Sequence, residues 1–114
     1  MSIKRVRPED RWSDAVIYNN TLYYTGVPET LHVDATAQTA ETLRIIDSVL
    51  AEQGTDKSRI LDVTIFLADK ADFDAMNKAW DAWVCQGSAP VRCTVQAGLM
   101  HPEYKVEIKI IAAC

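Results

Sequence analysis

The sequence predicts a single α+β domain (residues 1–114), in which one β-sheet carries two helices on the same face. The 114 residues are 48% hydrophobic and 25% charged, which suits one modest core and leaves no room for a second domain. Strand-like segments cluster around two segments with helical periodicity. The predicted order is β-β-β-α-β-α-β-β, which favours an α+β layer with both helices on one sheet face.

The first third of the chain predicts three strands. Residues 15–18 and 22–25 are rich in β-branched and aromatic side chains and flank Asn19-Asn20-Thr21, so they predict a hairpin with an Asn-rich turn. Residues 3–6 add a short edge strand. Gly26-Val27-Pro28 ends the third strand, because proline has no N–H to donate to a ladder.

Two longer segments predict amphipathic helices. Between residues 35 and 53, apolar side chains recur every three or four positions, and Gly54 supplies a C-terminal cap. A second helix is predicted from 71 to 85, with Gly87 beyond its end. Its apolar stripe is best explained by core packing and consists of Phe73, Met76, Trp80, Trp83 and Val84.

The remaining strands leave one sheet face without a cover. Residues 60–67 are apolar nearly throughout, which predicts a central strand covered on both faces. Two more strands are predicted around 91–97 and 104–113. Since both helices are expected on one side, an apolar second face is most simply buried by another copy of the chain. We therefore expect a homo-oligomer.

Charge and composition argue against several classes of partner. The formal net charge is -4 and the sequence pI is about 5.0, which disfavours binding to nucleic acid. Because no long apolar segment occurs, we expect a soluble, cytoplasmic protein without a membrane partner. Three cysteines lack metal-binding spacing, and two histidines lack a ligand-type residue at i+4, so the sequence predicts no metal site.

The last two predicted strands each carry a charged residue, Arg92 and Glu107. If these strands pair directly as a hairpin, the two side chains lie opposite each other and form an ion pair worth roughly 0.2 to 1 kcal/mol. A functional site is the alternative. The planar guanidinium of Arg92 suits bidentate capture of a carboxylate, and Glu107 is placed to hold or activate a water molecule.

Several short motifs occur in a fixed order along the chain. They are Gly26, Asp72-Phe73 with Asn77, the segment Ala89-Pro90-Val91-Arg92, and the run from Val106 to Ala112. The most specific element is Pro-x-Arg, followed fifteen positions after the arginine by Glu107 in a Val-Glu-Ile strand. In this order the motifs resemble the YjgF/RidA family of imine deaminases, and the resemblance covers nearly the whole chain.

The resemblance implies a chorismate-mutase-like fold and a homotrimer with three clefts at the subunit interfaces. It implies hydrolysis of reactive enamines and imines, such as 2-aminoacrylate and 2-iminobutanoate, to 2-oxo acids and ammonia without a cofactor. By the same resemblance, Arg92 binds the carboxylate of a small metabolite, and Glu107 positions the water that attacks the imine carbon. Positioning is sufficient in principle, because imines also hydrolyse unaided.

Four further binding residues follow from the resemblance, three near the start of the chain and one on the second helix. Trp12 stands where many relatives have a tyrosine, and it either lines the pocket or anchors the N-terminal segment. Thr25 and Gly26 match a small hydroxyl residue and its neighbouring glycine, and Thr25 either binds the ligand or is an ordinary strand residue. Asn77 lies on the apolar stripe and needs a polar partner, so its first role is structural.

The strand after Arg92 departs from the family pattern. Many relatives place a cysteine two residues after the arginine, where this chain has Thr94, while Cys93 directly follows Arg92. We expect Cys93 to be a buried small hydrophobe whose backbone reaches the ligand. These departures predict a side branch of the family, with a substrate preference of its own.

Three other functions remain open from the sequence. The first is a non-catalytic binder of small 2-oxo or amino acid metabolites, in which Arg92 captures the carboxylate and Glu107 only supports it. A second is ribonuclease or translation-inhibitor activity, which the acidic charge counts against. The third is a holdase-like role, which requires apolar surface that stays exposed after assembly.

Overall fold

A computed structural model describes residues 2–114, which form a six-stranded sheet with two α-helices on one face. The predicted element order and the placement of both helices on one side are confirmed. The strands are β1 (Lys4–Val6), β2 (Ala15–Tyr18), β3 (Thr21–Gly26), β4 (Ile60–Leu67), β5 (Val91–Gln96) and β6 (Val106–Ala113), and the helices are α1 (Ala35–Glu52) and α2 (Phe73–Trp83). Short 3₁₀ turns occupy Lys57–Arg59 and Lys70–Asp72.

The strands follow the spatial order β1-β2-β3-β6-β4-β5. All neighbours are antiparallel except β4 and β5, which run parallel and are connected through α2. The prediction that residues 60–67 form the central strand is wrong in position, since β4 lies next to the edge strand β5. The cause is β6, which inserts between β3 and β4, so that β3 and β6 are the two central strands.

The N-terminal strands form the predicted hairpin. Tyr18 pairs with Thr21, so the turn consists of Asn19 and Asn20, with φ angles of 53° and 58°. Asparagine tolerates this left-handed conformation better than most residues, and two such residues in sequence make the turn type that matches strand twist. The β1 strand pairs with β2 and forms the predicted edge of the sheet.

Helix α1 is capped at both ends. Asp34 Oδ1 accepts a hydrogen bond from the Ala37 N–H at 2.8 Å, which satisfies one free donor of the first turn. At the other end Gly54 has a φ of 76°, and the Thr55 N–H donates to the Leu50 carbonyl at 2.9 Å. This C-terminal motif ends the helix at Glu52, as the predicted glycine cap requires.

Helix α2 is shorter than the predicted span of 71–85. Residues 70–72 form the 3₁₀ turn, where Asp69 Oδ1 accepts a hydrogen bond from the Ala71 N–H at 2.9 Å. At the other end Val84 has a ψ of 141°, so the chain leaves the helix after Trp83. Lys57 Nζ donates to the Trp83 carbonyl at 2.6 Å and satisfies one acceptor of the last turn.

The core lies between the sheet and the helices. Four alternate residues of β6 are at most 1% exposed: Val106, Ile108, Ile110 and Ala112. They pack with Leu43, Ile46 and Leu50 of α1 and with Met76 and Trp80 of α2. The opposite sheet face, called the open face below, has no cover within residues 2–114. On it, Thr64 and Phe66 of β4 are only half-buried, so within this range β4 is covered on its helix side alone, and the cover of its second face by another copy stays a prediction.

Candidate functional site

Arg92 and Glu107 lie on opposite faces of the sheet. Strand β4 separates β5 from β6, so these strands do not form the predicted hairpin. Arg92 is in register with the buried Val63 on the helix side, whereas Glu107 is in register with Phe66 on the open face. The hypothesis of a cross-strand ion pair is therefore wrong, because a strand distant in sequence occupies the place between the two residues.

Arg92 is held in place by side chains of α2. Its Nη1 donates a hydrogen bond to Asn77 Oδ1 at 2.8 Å and lies 3.9 Å from the Met76 sulfur. The guanidinium carbon lies 5.1 Å from the ring centroid of the buried Trp80, within the range of a cation–π interaction. Asn77 thus has the polar partner that its place on the apolar stripe requires, and the orientation of the guanidinium is fixed.

No acid neutralises Arg92 within residues 2–114. The acidic side chains in the ion-pair contacts of that range face Arg7 and His32, and the partners that hold Arg92 are all uncharged. The side chain is half-buried, and the strand that carries it forms the edge of the sheet. A fixed guanidinium without a carboxylate, at an accessible edge, is suited to bind an anionic ligand.

Trp12, Thr25 and Glu107 line one cleft of about 660 Å³ on the open face. Thr25 and Glu107 come from the neighbouring strands β3 and β6, and Trp12 comes from the segment before β2. The Trp12 side chain is 61% exposed, so it is not packed as an anchor within the single chain. Three of the predicted site residues are therefore brought together around an open cavity.

Gly26 has a packing role in this chain. A Cβ atom at this position would lie 3.2 Å from Tyr24 Cε2, 3.3 Å from Thr42 Cγ2 and 3.4 Å from Ile46 Cγ1. These distances are tight for a real side chain, and they show that the bare α-carbon of Gly26 faces α1 rather than the open-face cleft. The glycine allows helix and sheet to approach closely beside Thr25.

Cys93 does not have the buried position that was expected. The residue is exposed on the open face, and its sulfur lies 3.7 Å from Thr64 Oγ1. Alternation along β5 places Arg92 and Thr94 on the helix side and Cys93 between them on the other side. Thr94 lines a second cleft, of about 560 Å³, together with Phe73 at the start of α2.

The predicted site residues form two separate halves in one chain. The arginine half contains Arg92 and Asn77, with Thr94 along the same face of β5, and lies beside α2. The glutamate half contains Trp12, Thr25 and Glu107 and lies on the open face, on the far side of the sheet. A ligand bound to Arg92 in this chain therefore cannot also contact Glu107 of the same chain.

Sequence reasoning missed two charged residues of the glutamate half. Asp14 and Lys109 line the open-face cleft with Glu107. Asp14 accepts a hydrogen bond from Arg7 Nε at 2.6 Å, so its charge is already paired. Lys109 lies two residues after Glu107, and strand alternation alone would have placed both side chains on one face.

Metal binding and membrane insertion have no structural signature in this part of the molecule. Across residues 2–114, no three His, Cys, Asp or Glu side chains come together in a group that could hold a metal ion. In the same range, neither helix has the combination of length and hydropathy needed to cross a bilayer.

Known proteins resemble this chain over almost its full length. The sequence profile of the family described as endoribonuclease L-PSP matches residues 2–114. The RutC family protein YoaB of Escherichia coli K12 is 73% identical over 113 residues, or 99% of each chain. The Reactive Intermediate Deaminase A of Arabidopsis thaliana chloroplasts is 32% identical over 108 residues, which are 89% of this chain and 57% of that protein.

A solved structure confirms the fold. The crystal structure of NMB1025, a member of the YjgF protein family from Neisseria meningitidis, has a TM-score of 0.95 to this chain and a sequence identity of 44%. The match covers 99% of this chain and 95% of that one. The mixed sheet with two helices on one face is therefore shared with a protein of known structure.

Proposed function

Because the chain belongs to the endoribonuclease L-PSP family, also called the YjgF/RidA family, we propose that it hydrolyses reactive imines and enamines of 2-oxo acids. The observation that carries this proposal is the half-buried Arg92, which is fixed by Asn77 and Trp80 and has no acidic partner within residues 2–114. Such a cation fits the carboxylate that every substrate of this class contains. A relative of this chain, at 32% identity, carries the name Reactive Intermediate Deaminase A.

The active site in this proposal lies between two copies of the chain. Arg92 and Glu107 lie on opposite sheet faces, so one copy supplies the arginine half and a neighbour supplies the glutamate half. The open face offers apolar side chains for such a contact, among them Val91 at 74% exposure and Val95 at 43%. If each of three copies places its arginine half against the glutamate half of the next, the contacts close into a symmetric homotrimer that has three equivalent clefts.

The chemistry needs one bound water and no cofactor. Arg92 binds the carboxylate of the 2-imino acid, and Glu107 of the neighbouring copy accepts a hydrogen bond from the water. The water oxygen forms a bond to the imine carbon while a proton passes to the imine nitrogen, giving a carbinolamine. The hydroxyl proton then passes to the nitrogen as the C–N bond breaks, ammonia leaves, and the 2-oxo acid remains. An enamine such as 2-aminoacrylate first takes a proton at its terminal carbon and gives up one from its nitrogen to become the imine.

The experiment measures release of 2-oxo acid from freshly generated 2-aminoacrylate and 2-iminobutanoate. Wild type is compared with Arg92→Ala and Glu107→Gln at equal, verified oligomeric state. Arg59→Ala and Glu9→Gln serve as matched controls, because both residues are exposed and lie outside the site. We expect the two site variants to fall to the spontaneous rate and the two controls to behave as wild type. Equal rates for wild type and Arg92→Ala would contradict the proposal.

Glu107→Gln also separates catalysis from simple binding. The substitution keeps the shape of the side chain and removes its negative charge. An enzyme would retain affinity for a 2-oxo acid and lose turnover. A wild-type protein that binds 2-oxo acids through Arg92 but gives no acceleration would instead be a metabolite binder.

A further inference from the structure

Lys109 stands out because the proposed reaction assigns it no role. It lies on β6 with its side chain on the open face, in register with Thr25 of β3 and Thr64 of β4. The residue is exposed and lines the same cleft as Glu107, two positions earlier on the strand. The cleft therefore contains a cation beside the residue that is proposed to position the water.

The acids near Lys109 do not pair with it. The cleft contains two carboxylates, Asp14 and Glu107. Asp14 is bound by Arg7 at 2.6 Å, and no carboxylate oxygen within residues 2–114 lies within 4.0 Å of Lys109 Nζ. When a second copy covers the open face, as proposed above, Lys109 loses part of its hydration. An ammonium group in that position requires an anion to compensate the loss.

A substrate with one carboxylate leaves this requirement unmet. Its carboxylate is bound by Arg92 of one copy, whereas Lys109 belongs to the neighbouring copy and lies on the opposite side of the cleft. The open-face cleft reaches past Glu107 to Lys109, so it offers a contact to a side chain longer than that of a three- or four-carbon imino acid. A second anionic group at the end of that side chain would complement Lys109.

We propose that Lys109 binds a side-chain carboxylate of the substrate, and that the preferred substrates are imines of 2-oxo dicarboxylic acids. This inference rests on the proposed function, because it uses the same cleft and the same role for Arg92. It adds a specificity residue and a substrate class. Lys109 contacts the substrate at the end away from the reacting carbon and takes no part in bond breaking.

The test measures equilibrium binding of two stable 2-oxo acids, 2-oxoglutarate and 2-oxopentanoate. The two ligands differ in a terminal carboxylate in place of a methyl group, and their binding does not depend on turnover. For wild type we expect roughly tenfold tighter binding of 2-oxoglutarate, the gain typical of one charge-assisted hydrogen bond. Lys109→Met should remove this preference without weakening 2-oxopentanoate, and Lys109→Arg should largely retain it.

Lys78→Met is the matched control. Lys78 is exposed on α2, away from the open face, and its substitution removes the same charge. All variants are compared after their oligomeric mass has been verified. Equal affinity of wild type for the two ligands overturns the inference, and so does an equal loss of both ligands in Lys109→Met. If neither ligand binds in an Arg92-dependent manner, the proposed function fails as well, which is a distinct result.

Kinetics give a second readout on the same variants. The imine of oxosuccinate is generated by oxidation of aspartate, and that of 2-oxopropanoate by oxidation of alanine. We expect Lys109→Met to lower kcat/KM roughly tenfold for the dicarboxylic imine, mainly through KM, and to leave the monocarboxylic imine unchanged. A fall in kcat for both imines would show that Lys109 supports the reaction rather than selects the substrate, and would overturn the inference.

Discussion

Arg92 Nη1 donates a hydrogen bond to Asn77 Oδ1 at 2.8 Å, which connects the edge strand β5 to helix α2. The amide oxygen orients the guanidinium without neutralising it. A carboxylate at position 77 would occupy the same place and cancel the charge. The choice of an amide therefore keeps Arg92 both fixed and available for an anionic ligand.

Substitution of Asn77 tests this arrangement. Asn77→Asp should weaken the binding of 2-oxo acids more than Asn77→Ala does, because the new carboxylate pairs with Arg92 and competes with the ligand. For Asn77→Ala we expect KM to rise about tenfold with a smaller change in kcat, since the guanidinium loses its orientation. Calorimetric titration and steady-state kinetics provide the two measurements. Tighter binding by Asn77→Asp than by Asn77→Ala would refute this role.

Gly26→Ala should reduce stability. The added methyl group meets Tyr24, Thr42 and Ile46 at 3.2 to 3.4 Å, and overpacking of this kind costs roughly 1 kcal/mol or more. Gly98→Ala is the control, because a Cβ atom there meets nothing within 4 Å and the backbone is not in the left-handed region. Its free energy of unfolding should stay within about 0.5 kcal/mol of wild type. Denaturant titration of both variants distinguishes the two cases, and equal stability would contradict the packing role of Gly26.

Val95→Asp should disrupt self-association. Val95 is 43% exposed, lies on the open face in register with Phe66, and would be buried between copies in the proposed trimer. A buried aspartate without a partner is strongly unfavourable, so we expect a shift to smaller species and a loss of imine hydrolysis. Sedimentation equilibrium measures the mass. The control, Ala82→Asp on the exposed surface of α2, should leave the mass unchanged.

Glu41 should contribute to stability in a pH-dependent manner. Its carboxylate accepts hydrogen bonds from the Thr30 N–H, the Thr30 hydroxyl and the Glu29 N–H, each at 2.7 Å. The bonds from Thr30 hold the pKa of Glu41 below its usual range. A lowered folded-state pKa stabilises the protein above the unfolded-state value of about 4.3, and this stabilisation is lost as the pH falls through the folded-state pKa.

Glu41→Gln should therefore lower the melting temperature near neutral pH, and its difference from wild type should shrink as the solution is acidified below about pH 4. Thermal melts across this pH range provide the measurement. Glu9→Gln, at an exposed position, is the control and should melt like wild type at neutral pH. A difference that grows towards acidic pH would mean that the sign of the argument is wrong.

Local patterns predicted the elements better than their arrangement. The Asn19-Asn20 turn and the glycine cap at Gly54 depend on backbone angles that these residues favour, so the sequence indicates them directly. The place of β6 between β3 and β4 depends on contacts between distant segments. No local pattern encodes them, and for that reason the hairpin of Arg92 with Glu107 was predicted wrongly.

The candidate site shows the same limit. Strand alternation correctly separated Arg92 and Thr94 from Cys93, because it needs only the two-residue period. The two-residue period does not say which set of side chains on a strand faces the helices. The exposure of Cys93 and the separation of Glu107 from Arg92 both depend on that choice. Lys109 was detectable, since it lies two residues after Glu107. Its importance depends on the lack of a carboxylate partner within residues 2–114, which only the structure shows.

The position of β6 also has a consequence for how the chain folds. The first three strands and the β4-α2-β5 unit can form early, yet each presents a bare strand edge until β6, the last of the six along the chain, bridges them. We therefore expect these edges to stay bare during synthesis until residues 106–113 have left the ribosome. We expect an aggregation-prone, half-paired sheet until that moment, so folding is completed after translation of β6 rather than alongside it.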